Sequence, residues 1–167
     1  MKVALTGFMA CGKSTYGRAL SKRLGWKFAD LDDKVLPGSS AGAALRQLGV
    51  EAFRVRESAA LAEALSASEN LVLALGGGTI LDEANRRLLK SEAVVIWLRT
   101  SMDIILNELS NSDRPLAEGL STAELESMLR QREPLYSEVA DAVLTIDEND
   151  MSKVVDDLER IIREIEK

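Results

Sequence analysis

Short apolar runs alternate along this chain with longer segments in which apolar positions recur every three or four residues. The short runs are KVALT (2–6), WKFA (26–29), LVLAL (71–75), AVVIWL (93–98) and AVLTI (142–146). Between them lie KSTYGRALSKRL, a long stretch from Ala41 to Leu65, DEANRRLLK, SMDIILNEL, STAELESMLRQR and SKVVDDLERIIREIE, each with helical spacing. LVLAL carries no polar residue, which suits a strand covered by helices on both faces of a parallel sheet. Strand and helix in alternation predict right-handed crossovers and an α/β sandwich. Val154, Val155, Leu158, Ile161 and Ile162 form one stripe, which places the last helix against the sheet. No repeat or linker divides residues 1–167, so they read as one domain, with PGSSAG (37–42) and SNSDRPLAEG (110–119) as the nearest approaches to loop insertions.

Composition narrows the chemistry. At 46% hydrophobic but 4% aromatic, the core has to be aliphatic. A net charge of -6 argues against a phosphate-backbone-binding surface, so nucleic acid is an unlikely partner. The chain has no histidine, and a general base must come from Asp, Glu, Lys, Cys or Tyr. A single cysteine, Cys11, forms no internal disulfide and agrees with a reducing compartment. With no export signal and no apolar stretch of the roughly 18 residues that span a bilayer, the expectation is a soluble, cytosolic protein with no membrane partner.

The stretch GFMACGKST (7–15) comes directly after the first strand and opens the first helix. Its Gly7, Gly12, Lys13 and Ser14 match the phosphate-loop pattern G-x-x-x-x-G-K-[ST] in the right structural context. Glycines let backbone N–H groups converge on phosphate oxygens, and the helix N-terminus adds partial positive charge. Lys13 is placed to reach the β- and γ-phosphates of ATP, and the Ser14 hydroxyl to join the coordination of Mg²⁺. Ala10, Cys11, Gly12, Lys13, Ser14 and Thr15 are therefore the nucleotide-binding residues.

Candidates for binding the phosphoryl acceptor lie further along the chain. FADLDD sets Asp30 and Asp32 at the carboxyl edge of the sheet; in an extended segment both face one cleft, one serving the Mg²⁺ shell and the other taking a hydroxyl proton. The plainer reading is an acidic helix start in which Asp32 or Asp33 is the cap. AFRVRE places Arg54 three residues before Glu57, either as a surface ion pair or as a carboxylate-gripping arginine steadied by Glu57. Gly76, Gly77 and Gly78 form a plain turn or a place where a small ligand lies against the backbone. Arg114, in the polar segment SNSDRPLAEG, is either a solvated loop residue or a lid arginine that closes on the phosphates. Arg132 precedes Pro134, which is expected to end or kink its helix and let the arginine project inward.

Together GFMACGKSTYGRALSKRL, FADLDDKV, FRVRE, LALGGG, DRPL and REPLYSEVAD resemble, in order and spacing, the shikimate kinase family over essentially the whole chain. The resemblance implies transfer of the ATP γ-phosphate to the 3-hydroxyl of shikimate, on the route to chorismate and the aromatic amino acids. It also implies a small monomer with the three-layer fold of P-loop nucleoside monophosphate kinases and five parallel strands in the order 2-3-1-4-5. In that view residues 1–167 are one kinase domain, with a substrate-binding region at about 31–65 and a lid at about 110–120. Asp32 matches the substrate-binding candidate base, Asp30 the aspartate that orders Mg²⁺ through water, and Arg54 and Arg132 the carboxylate arginines. Gly76, Gly77 and Gly78 match the glycine run lining shikimate, while Arg114 matches the lid arginine on the nucleotide. Lys13, Asp32 and Arg114 then form the catalytic set.

Departures from the family pattern concern Ala10 and Cys11, where Gly and Ser are common, and Gly49-Val50, with Glu51 arriving one place later than the usual acid. IDEND (146–150) offers acids and Asn149 where an arginine against adenine is a family feature. Two alternatives stand beside the favoured reading: a kinase for another small hydroxy acid such as gluconate, and a nucleotide-binding module without catalysis. Cys11, beside Lys13 at a helix N-terminus, is either an inert filler or a reactive thiol. The second case predicts that Mg-ATP slows its alkylation, measured as labelling rate with and without nucleotide.

Overall fold

In the computed structural model, residues 1–39, 41–66, 70–111 and 119–167 are described. Among them five strands alternate with helices: β1 (Lys2–Thr6), α1 (Lys13–Leu24), β2 (Lys27–Asp30), α2 (Leu31–Val35), α3 (Ala41–Leu48), α4 (Val50–Ser66) and β3 (Leu71–Ala74). A 3₁₀ turn (Thr79–Leu81) comes next, then α5 (Glu83–Glu92), β4 (Val94–Thr100), α6 (Met102–Ser110), α7 (Thr122–Val139), β5 (Ala142–Ile146) and α8 (Met151–Ile165). All strand pairs are parallel, as the apolar runs implied, in the order β2-β3-β1-β4-β5 that the family resemblance implied.

Alternation along the strands separates two apolar layers. Ala4, Leu73, Val95 and Trp97 face Phe53, Leu61 and Leu65 of α4, Leu89 of α5, and Tyr136 and Val139 of α7. Val3, Leu5, Val72, Ile96 and Leu98 face Tyr16 and Leu20 of α1 together with Val154, Val155, Leu158 and Ile162 of α8. The central strands β1 and β3 are sealed on both sides, as LVLAL implied. Helices therefore cover both faces of the sheet, and the open line left for chemistry is its carboxyl edge.

Four boundaries depart from the sequence reading, each for a local reason. β2 starts at Lys27 because Gly25 caps α1 in the left-handed region (φ 68°) and Trp26 donates its N–H back to Ser21 O at 3.0 Å, closing the helix. β4 runs on to Thr100, since Arg99 and Thr100 still pair with Thr145 and Ile146. The long helical pattern from Ala41 to Leu65 is two helices, broken at Gly49, whose φ of 80° no right-handed helix contains. Helix α7 does not end at Pro134 but continues to Val139. Burial of Tyr136 and Val139 beyond the proline holds that last turn in place and outweighs one missing N–H.

No helix among the described residues is long and apolar enough to cross a membrane. A side chain at Gly49 would meet nothing within 4 Å, so substitution there tests backbone strain alone. Gly49→Ala is expected to lower the unfolding free energy by about 1–2 kcal/mol, and Gly49→Asn by less, read from urea midpoints at constant m-value.

Candidate active site

Register brings three strand ends to one place. Leu5 of β1 and Asp30 of β2 both pair with Ala74 of β3, so the chain leaves all three strands at the same level. It passes from them into the phosphate loop, the Asp30–Asp32 turn and the glycine run.

In the phosphate loop, Gly7 (φ 147°) and Gly12 (φ 87°) hold conformations that side chains rarely adopt. A Cβ on Gly7 would lie 2.7 Å from Leu98 O, and one on Gly12 would enter the Tyr16 ring. Ala10 also sits at positive φ (58°), a strain that marks this turn as shaped for a purpose. No side chain caps the start of α1, which leaves its first N–H groups available to an anion. Lys13 is 9% exposed and donates from Nζ to Gly7 O (3.0 Å) and Phe8 O (2.7 Å), folded over its own loop.

Asp30 and Asp32 part company. The chain turns helical at Leu31, so the two carboxylates are not presented by one extended segment as the i, i+2 reading assumed. Asp30, rather than Asp32 or Asp33, caps α2: its Oδ1 accepts from Asp32 N at 3.1 Å. Its other oxygen accepts from Ser14 Oγ at 2.5 Å, which joins the β2 edge to the phosphate loop. A carboxylate and a hydroxyl suit a hard divalent ion that keeps much of its water and takes its other ligands from phosphate. Among the described residues no group of three or more His, Cys, Asp or Glu forms a metal cage. Asp32 instead lies against the glycine run, and a methyl on Gly76 would fall 2.9 Å from its Oδ1.

Arg54 and Glu57, one turn apart on α4, are an ion pair at 2.6 Å, but not a surface one: the Glu57 side chain is 1% exposed. Glu57 also accepts from Thr79 Oγ1 at 2.7 Å, and Asn85 Nδ2 steadies that turn by donating to Thr79 O at 3.1 Å. A carboxylate this buried is costly without such partners. The Arg54 guanidinium lies over the Phe53 ring at 5.3 Å and against Gly78, where a Cβ would approach Nη2 to 2.5 Å. A Cβ at Gly76 or Gly78 would push aside the tips of Glu57, Asp32 or Arg54, so glycine there leaves those side chains in place.

Arg132 reaches the same place from α7, on the stripe Leu125, Met128, Arg132, Tyr136 and Val139. Its Nη1 donates to Gly77 O at 3.2 Å and its guanidinium lies 5.8 Å from the centre of the Phe8 ring. Tyr136 OH donates to the same carbonyl at 2.6 Å, and burial pushes its phenol far above the ordinary tyrosine range, so it remains a donor. Sequence reading overlooked Thr79, Asn85, Phe8 and Tyr136. A signal existed for Tyr136, four residues after Arg132, but none for Asn85.

A cavity of about 220 Å³ joins these groups, lined by Lys13, Ser14, Asp32, Arg54, Gly77 and Arg132 among others. It is smaller than the roughly 300–1,000 Å³ that drug-sized ligands occupy. Thr15, Ala10, Gly12, Gly76 and Gly78 line it too. Cys11 does not: it is 3% exposed and its sulfur belongs to the apolar layer beneath the loop. Its burial favours the filler reading, although its sulfur also accepts from Lys13 Nζ at 3.7 Å. Arg114 lies outside the described residues.

The sequence model of the family described as shikimate kinase matches residues 9–165. The chain belongs to the shikimate kinase family. A shikimate kinase of Nitratidesulfovibrio vulgaris is 40% identical over 146 residues, 83% of this chain and 83% of that protein. The solved shikimate kinase of Acinetobacter baumannii in complex with shikimate superposes with a TM-score of 0.89 at 31% identity, covering 98% of this chain and 93% of that one. A gluconokinase of Sinorhizobium meliloti, at 18% identity and a TM-score of 0.71 over 98% and 94% of the two chains, shares the fold alone.

In this shikimate kinase family site, native Cys11 is expected to resist alkylation equally with and without Mg-ATP and to label rapidly only in denaturant, as read by mass spectrometry. Gly78→Ala is expected to displace Arg54 and lower kcat/KM for the phosphoryl acceptor by about tenfold or more while leaving KM for ATP little changed.

Proposed function

We propose that this protein transfers the γ-phosphate of ATP to the 3-hydroxyl of shikimate, a step toward chorismate and the aromatic amino acids, as one kinase domain over residues 1–167. The observation that carries this reading is the meeting of Arg54, Arg132 and Asp32 with the phosphate loop on one small cavity. A nucleoside or lipid acceptor has no need of two inward guanidinium groups, whereas a small anionic polyol does.

Lys13 exchanges the carbonyls of Gly7 and Phe8 for the β- and γ-phosphate oxygens, and the free N–H groups at the start of α1 complete the cradle. Arg54, steadied by buried Glu57, and Arg132, anchored on Gly77 O, take the substrate carboxylate by forked hydrogen bonds. That grip presents a hydroxyl to Asp32, which accepts its proton as the oxygen attacks phosphorus in line. Ser14 and Asp30 would hold Mg²⁺, which when bound would supply neutralisation of the phosphate charge. In this reading Arg114, outside the described residues, is the lid arginine that adds positive charge over the nucleotide, and residues at about 31–65 form the acceptor-binding region. We read it as a cytoplasmic monomer acting on small molecules without membrane partners, and the acidic composition argues against a nucleic-acid partner.

The test is product mass spectrometry with Mg-ATP and a panel of hydroxy acids that includes shikimate and gluconate. Shikimate phosphate alone is the expected product; gluconate phosphate, or no product from any acceptor, selects one of the alternatives. Arg132→Ala is expected to reduce kcat/KM for shikimate by the equivalent of about 2–5 kcal/mol. Arg54→Lys, which keeps the charge but loses the fork, is expected to lose a substantial part of that. In Asp32→Asn the fall is expected mainly in kcat, measured by ADP release at saturating shikimate.

A further inference from the structure

Three glycines in succession have more backbone freedom than any other tripeptide, yet a carboxylate site requires fixed donors. Thr79 N donates to Gly76 O at 3.2 Å and Leu81 N to Gly78 O at 3.0 Å, and among the described residues the donors to the carbonyl between them come from α7. Gly77 O accepts from Tyr136 OH at 2.6 Å and from Arg132 Nη1 at 3.2 Å. Tyr136 is 0% exposed, so no water competes for its proton. Its ring is itself held, tilted against Trp97 of β4 with ring centres 5.8 Å apart. The phenol therefore connects the rigid sheet to a carbonyl on the wall of the cavity.

We propose that Tyr136 is a positioning residue for the acceptor site, fixing the Gly77 carbonyl so that Arg132 and the glycine backbone stay aligned for the substrate carboxylate. This rests on the shikimate reading above. Because the peptide unit is planar and trans, fixing the Gly77 carbonyl also fixes the direction of the Gly78 N–H, which points the opposite way. Gly78 is the residue against which Arg54 packs. One hydroxyl thereby sets both halves of the grip: Arg132 through a shared acceptor, and Arg54 through the next peptide. Without it Arg132 becomes the sole side-chain donor to Gly77 O and is drawn onto that carbonyl at the substrate's expense.

Tyr136→Phe keeps the ring against Trp97 and leaves Gly77 O with Arg132 as a partner, so no buried acceptor is orphaned. The expected result is a rise in KM for shikimate of about three- to tenfold with KM for ATP changed by less than about twofold. Replacing Tyr136 by para-aminophenylalanine, which restores an N–H donor on the same ring, is expected to recover part of the loss. Unchanged KM for shikimate, or equal rises for both substrates that track a lower urea midpoint, would overturn the proposal and leave Tyr136 as ordinary core. If the phenylalanine variant does not fold, the para-amino variant carries the test: its weaker donor must raise KM for shikimate selectively, and no rise sinks the idea. Wild-type turnover of shikimate in the same assay checks the functional reading itself, so the two failures are distinguishable.

Discussion

The pairing of β1 with β3, instead of with its sequence neighbour β2, is the constraint on which the site depends. It sets the phosphate loop beside the glycine run, because Leu5 and Ala74 are register partners and each strand ends within a residue or two of them. Adding β2 outside β3 brings Asp30 to the same level. Parallel strands make this possible: all carboxyl ends lie on one edge, and the crossover helices are obliged to pass over the faces. A donor set drawn from residues 13 to 132 is thereby assembled around a single cavity.

The buried charge on α4 shows how that cavity is maintained. Glu57 is sealed from water and would be costly there without Arg54 and Thr79. An apolar pair of similar volume would satisfy packing, but it would not hold a guanidinium in one orientation at the wall of an anion site. The glycine run is a consequence of the same packing. A side chain at Gly76 or Gly78 would displace Glu57, Asp32 or Arg54, so the run's smallness preserves their positions, while its central carbonyl is held by α7.

Phosphate binding and acceptor binding also differ in how they are prepared. The phosphate loop stores its shape in backbone conformation, with Gly7, Ala10 and Gly12 all at positive φ and Lys13 folded onto neighbouring carbonyls. Lys13 must move to serve, and it has compact, rotatable donors suited to that. Arg54 is held by Glu57, one turn along its own helix, and Arg132 by the backbone carbonyl of Gly77, so on the proposed reading neither needs much rearrangement. Transfer between the two halves relies on positioning and charge, the means by which phosphoryl transfer is accelerated with little covalent help.

Sequence alone determined the local features. The phosphate loop was legible because Gly7, Gly12, Lys13 and Ser14 act within one turn, and the strands because apolar runs such as LVLAL have no other stable place than the middle of a sheet. The helix stripes of α1 and α8 were legible for the same periodic reason. Tertiary structure decided whatever depended on distant partners. The Arg54–Glu57 pair could be read from its spacing, but nothing near Glu57 in sequence announces that it is buried, that Thr79 shares it, or that Tyr136 and Arg132 meet on Gly77 O, since those contacts cross 22, 55 and 59 positions. That the helix stops at Pro134, and that one extended segment presents Asp30 and Asp32, failed because local preference was weighed without the burial of Tyr136 or the helical turn at Leu31, although Arg132 does project inward. Local rules fix what a few consecutive residues do to one another; which groups converge is a property of the closed fold, where strand order sets the distances.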